Sequence, residues 1–204
     1  MGLSAGQIKT SLDAVAALEP AIARALVIAG YPAERIRPRG HHTLMRTIVG
    51  QQVSVAAADS MWRKLEAELG AAMPPAELLN RDFDTLRACG MSRQKQAYLR
   101  SLCELLEAGL DLHNLPADDE AAIAELVRIK GIGRWSAEIY LLFAEGRPDI
   151  WPAGDLAVMA GMGRILGLAE RPDEKATRAL AEGWKPHRGA LAIFTWHCYD
   201  NPAL

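Results

Sequence analysis

Apolar residues recur at the helical period along almost the whole chain, and that one pattern excludes most folds. From Ser92 to Gly109, the residues Leu99, Leu102, Cys103 and Leu106 follow the i, i+3, i+4, i+7 spacing of a single helix face. From Ser54 to Gly70, a serine suited to an N-cap precedes an apolar stripe of Val55, Ala58, Met61, Trp62, Leu65 and Leu69, and a glycine closes it. The same reading predicts helices near 5–18, 21–29, 42–52, 75–88, 118–128, 134–145, 155–167, 173–184 and 188–200. No stretch alternates at period two, and no Asn-Gly pair marks a β-hairpin. The expected fold class is all-α.

Breakers divide the helices. Tyr31-Pro32 and Arg37-Pro38-Arg39-Gly40 set an N-terminal helical pair apart, and a second irregular stretch runs from Gly146-Arg147-Pro148 to Trp151-Pro152-Ala153-Gly154. With 204 residues the chain has room for one or two domains. Its connections are short, which favours two closely joined lobes.

Composition narrows the setting. The chain is 50% hydrophobic and 24% charged, as a soluble globular protein is. No apolar run approaches the roughly 20 residues that cross a bilayer, so no membrane association is expected. The start, Met1 to Lys9, lacks a basic segment followed by an apolar one, so a signal peptide is not expected. Cys89, Cys103 and Cys198 form no CxxC pair. Their odd number fits a reduced, intracellular, cytoplasmic protein and argues against a four-thiolate iron–sulfur cluster. The formal net charge of −2 counts against nucleic-acid binding, unless a local basic face coexists with an acidic remainder.

Residues 126–137 supply such a face. Leu126-Val127-Arg128-Ile129-Lys130-Gly131-Ile132-Gly133-Arg134-Trp135-Ser136-Ala137 joins two amphipathic patterns through Gly-Ile-Gly. Glycines allow a tight turn and a close backbone approach. The first amides of the second helix, aided by its dipole, suit one phosphate. Arg128, Lys130 and Arg134 cluster beside them. An ordinary corner between two helices with a glycine C-cap reads the same way.

This segment resembles the helix-hairpin-helix of the base-excision DNA glycosylases, with Lys130 where that motif commonly has proline. In that superfamily the hairpin precedes a Gly/Pro-rich loop and an essential aspartate, matched here by Trp151-Pro152-Ala153-Gly154 and Asp155. Upstream, Arg46-Thr47-Ile48-Val49-Gly50-Gln51-Gln52-Val53-Ser54 resembles the family's I-V-G-Q-Q-x-S stretch. Downstream, Trp184-Lys185-Pro186-His187-Arg188 and Trp196 resemble the C-terminal stretch of the 3-methyladenine DNA glycosylase II type, in its compact form without an N-terminal β domain. The resemblance covers about residues 42–200.

It implies two helical lobes with a cleft between them, one of residues 1–41 plus 151–204 and one of 42–150 carrying the hairpin. Asp155 would be the catalytic carboxylate. An aspartate between glycine and an apolar run is also an ordinary N-cap, and the two roles can coexist. Trp135, Trp196 and Gln51 would line the base pocket, where an indole face attracts a cationic alkylated purine; taken alone either tryptophan reads as a core residue, and the motifs favour the pocket for Trp135 and leave both readings open for Trp196. Gln52 would be the wedge filling the gap left by the extruded nucleotide, or part of a polar helix end leading to Ser54. Gly131, Gly133, Arg134 and Lys130 would hold DNA phosphate. Trp135 stands where lyase-type relatives carry their nucleophilic lysine, so water would be the nucleophile and an abasic site the product. No catalytic cofactor is expected. The resemblance implies a Na+ or K+ ion on the carbonyls of Val127, Ile129 and Ile132. The expected partner is damaged double-stranded DNA, bound by a monomer. Two alternatives stay open: a non-catalytic DNA-binding module, and a glycosylase for uracil, mismatched or oxidised bases.

Overall fold

The computed structural model describes residues 2–199 and 201, and every regular element among them is helical. The order is α1 (Ala5–Leu18), α2 (Pro20–Ala29), α3 (His41–Gly50), α4 (Val55–Leu69), α5 (Pro75–Asn80), α6 (Phe83–Ala88), α7 (Arg93–Glu107), α8 (Asp119–Val127), α9 (Arg134–Tyr140), α10 (Leu156–Leu166), α11 (Glu174–Leu180) and α12 (Arg188–Tyr199). A π turn at Leu141–Glu145 extends α9, and a 3-10 turn at Ala181–Trp184 extends α11. None of these helices is long and apolar enough to cross a membrane.

Side-chain caps fix most of the helix starts. Ser4 and Gln7 form a capping box on α1. Ser54, Ser92, Asp118, Asp155 and Asp173 each accept a hydrogen bond from an amide in the first turn of the helix that follows. The helix predicted over 75–88 is two helices. Asp82 accepts from the Thr85 amide at 2.8 Å, so a second N-cap interrupts the apolar periodicity. The last predicted helix ends at Tyr199; residue 200 lies outside the described residues.

The chain divides into residues 1–37 with 138–204, and residues 38–137. The resemblance places these divisions at 41/42 and 150/151. The later expected division follows an irregular stretch, but the π turn before it already buries Leu141, Leu142, Phe143 and Ala144.

The first unit holds α1, α2, α10, α11 and α12. Ile8, Leu12, Ile22, Met162 and Phe194 are fully buried in it, each contributing about 1.5–3 kcal/mol of apolar burial. Helices α10 and α12 cross closely because Gly161 lies under Thr195, whose methyl a Cβ would overlap. The second unit holds α3 to α8 and the start of α9, around Leu44, Met45, Ile48, Leu65, Leu86, Leu99, Leu126 and Ile129. All three cysteines are buried and free.

Candidate active site and nucleic-acid interface

Asp155 is the N-cap of α10, and its position follows from the loop before it. Trp151 is buried and donates through Nε1 to the Thr177 carbonyl at 3.0 Å, fixing the loop to α11. The Asp155 amide then bonds the Pro152 carbonyl at 2.9 Å, closing a tight turn. Its carboxylate is half-buried, and Oδ1 accepts from the Val158 amide at 2.9 Å and from Trp196 Nε1 at 3.0 Å. The Trp196 ring is tilted against Phe143 with centroids 5.6 Å apart. Behind the loop, Arg178 lies 3.1 Å from Glu174 and 3.9 Å from the buried Glu138. Asp155 and Trp196, which the sequence separates, therefore meet in one unit. The cap and the indole contact fall on the same carboxylate oxygen.

The other candidate residues gather in the second unit. Gly131 has φ +82°, and any Cβ there would overlap the Tyr98 ring. Gly133 differs: a Cβ would meet nothing within 4 Å. Ile132 is buried between them and anchors the turn. The two glycines thus do separate jobs, one packing the hairpin and the other keeping its backbone open to an approaching group. Lys130 is exposed, and its amide bonds Ser101 Oγ at 3.1 Å. Arg134 forms two hydrogen bonds to Glu120, at 2.8 and 2.5 Å, and Arg128 pairs with Glu125. Acidic neighbours therefore temper the basic cluster expected from the sequence.

Trp135 is 48% exposed on the first turn of α9, so it is no core residue. Helix α3 ends at Gly50, and Gln52 follows at φ +55°, a left-handed residue at an exposed tip. Val53 and Val55 beside it are also exposed. Gln51 turns the other way. Its Nε2 donates to the Gly131 carbonyl at 2.8 Å, which ties the tip to the hairpin.

Val127 is the last residue of α8, so its carbonyl lies beyond the helical ladder, and the Ile129 carbonyl accepts from the Ile132 amide at 3.0 Å. Neutral oxygens at the negative end of a helix fit a monovalent cation.

Sequence reasoning missed Lys95. It is buried in α7 and donates through Nζ to the Val49 carbonyl at 2.6 Å. Burial holds its ammonium below the ordinary lysine pKa. The available signal was a polar residue in register with Leu99 and Leu102 on the apolar face of α7.

Comparison with known proteins places this arrangement. DNA-3-methyladenine glycosylase 1 of Schizosaccharomyces pombe is 32% identical over 165 residues, covering 76% of this chain and 71% of the relative. A DNA-3-methyladenine glycosidase from Bacillus halodurans superposes with TM-score 0.88 at 29% identity, over 95% of this chain and 90% of the other. The S. pombe 3-methyladenine DNA glycosylase in complex with abasic DNA superposes with TM-score 0.76 at 27% identity, over 92% and 95%. The family model of HhH-GPD base excision DNA repair proteins matches residues 45–186, from within α3 to the segment before α12. Hairpin, tip and capping aspartate all fall inside that match, and the chain belongs to the HhH-GPD superfamily of base excision DNA repair proteins.

Proposed function

We propose that this protein is a monofunctional DNA glycosylase of base excision repair that extrudes alkylated purines, of the 3-methyladenine and 7-methylguanine type, and hydrolyses their N-glycosidic bond. The observation that carries the reading is the half-buried Asp155 carboxylate, fixed by the first turn of α10 and by the Trp196 indole. Cleavage of the bond develops positive charge on the deoxyribose. A carboxylate about 4 Å away, at an effective dielectric near 20, attracts that charge by about 4 kcal/mol. This corresponds to roughly a thousandfold in rate. Asp155 also orients the attacking water, whose oxygen bonds the sugar as the base departs with the bonding electrons and a proton passes to solvent.

An N3- or N7-alkylated purine is cationic, which suits the exposed indole of Trp135. The bond to such a base is already weakened, so modest assistance suffices. A tryptophan cannot form a Schiff base, and the product is an abasic site. The wedge is Gln52, at the left-handed tip. Backbone amides at Gly133 and the start of α9, with Lys130 and Arg134, would hold phosphate. The carbonyls of Val127, Ile129 and Ile132 would hold a monovalent cation, which supplies positive charge beside an incoming phosphate. The setting is intracellular and the working unit a monomer.

The test incubates the protein with methylated duplex DNA and separates released bases by chromatography. Release of 3-methyladenine or 7-methylguanine without strand nicking is the expected result. Duplex binding with no release would make the chain a DNA-holding module, and release confined to uracil, mismatched or oxidised bases would reassign the substrate.

A further inference from the structure

Helix α7 carries three polar residues at three-residue intervals, Lys95, Tyr98 and Ser101, and all three reach candidate DNA-facing elements. Lys95 is 8% exposed and makes no ion pair among the described residues. Its Nζ donates to Val49 in the last turn of α3, where the negative end of the helix favours a cation. One turn on, the Tyr98 ring lies where any side chain at Gly131 would stand, and Gln94 Nε2 bonds its hydroxyl at 2.6 Å. One turn further, Ser101 Oγ accepts from the Lys130 amide at 3.1 Å. Gln51, two residues after Val49, closes the circuit through the Gly131 carbonyl.

A buried ammonium without a counter-charge is costly, and an apolar side chain would fill the same space at less expense. Its contact explains its presence: the amine grips the end of the helix that launches Gln51 and Gln52. We propose that the α7 ridge of Lys95, Tyr98 and Ser101 fixes the glutamine tip and the glycine hairpin as one DNA-reading surface, with Lys95 the positioning residue for the tip. The inference rests on the base-excision reading above and deepens it. Tyr98 and Ser101 hold the hairpin, which grips the strand. Lys95 holds the tip, which replaces the extruded base. Loss of Lys95 therefore bears on extrusion and leaves strand gripping intact.

The experiment compares wild type with Lys95→Met in single-turnover release of 7-methylguanine. One duplex pairs the lesion with cytosine; in a second it faces a one-nucleotide gap, where extrusion requires little unpairing. Release from the paired lesion is expected to fall about tenfold or more, and from the unpaired lesion by less than about threefold. Affinity for undamaged duplex should stay within about twofold of wild type, since the hairpin is unaltered. Lys95→Arg, which retains a charged donor, should recover most of the lost rate. An equal loss on both lesions, or no loss on either, overturns the proposal. If Lys95→Met does not accumulate as folded protein, Lys95→Gln replaces it in both arms. Absence of release by the wild-type protein would overturn the base-excision reading and this inference with it; wild-type release with a substrate-independent deficit overturns the inference alone.

Discussion

Asp155 receives two donors of different kinds, a helix amide and an indole N–H. An asparagine can accept both through its side-chain oxygen but carries no charge. Asp155→Asn should therefore lower base release by about a thousandfold, with duplex affinity and the urea midpoint nearly unchanged. Asp155→Ala should match that loss and also lower stability by about 1 kcal/mol, because the α10 cap goes with it; equilibrium unfolding separates the two variants. The capping role was legible in the sequence, since Gly154, Asp155 and Leu156 form a local signal. The indole contact was not. Trp196 lies 41 residues away, and only the close crossing of α10 and α12 at Gly161 and Thr195 brings it to Asp155. Gln51 likewise read as a pocket residue, while its amide is given to a carbonyl 80 residues downstream.

At the scale of elements, the hairpin offers a contrast between neighbouring glycines. Gly131→Ala forces a side chain into the Tyr98 ring at a left-handed φ, so the protein should lose on the order of 1–3 kcal/mol in equilibrium unfolding. Gly133→Leu places its Cβ in open space, so stability should fall less than for Gly131→Ala. Its binding to damaged and undamaged duplexes should weaken alike, as electrophoretic mobility or fluorescence anisotropy would report. Retained binding by that variant would remove the hairpin from the interface. The glycines were readable as a turn because few residues serve there. Their division of labour was not, since it depends on Tyr98 arriving from another helix. The same limit explains the break between α5 and α6. Apolar spacing continued across it, while Asp82 offered the backbone a competing local bond.

Across the molecule, charge and burial give two further expectations. If a chain of net charge −2 grips DNA through the proposed patch, its affinity should fall as salt rises, and Lys130→Ala should reduce the slope of log K against log salt by about one. Cys103 in one unit and Cys198 in the other have thiols pushed up to about 12 by burial, from an ordinary value of 9.0. Between those values the two folded thiols keep protons that the unfolded chain releases, so the stability they contribute should decline as pH rises from 9.0 toward about 12. Urea midpoints of a Cys103→Ala, Cys198→Ala double variant should fall less steeply across that range than those of wild type; an identical fall would mean that the thiols do not drive it. The helical class could be read at this scale because periodicity is a property of every segment. The unit boundaries could not, because they depend on which helices bury the π turn. The cap on α10 also shapes how such a chain ages in evolution. A lineage that no longer needs repair chemistry still needs that helix to begin, so selection for folding alone would tolerate asparagine at position 155 long before alanine. A descendant carrying that amide would look intact in every other respect and be a retired enzyme.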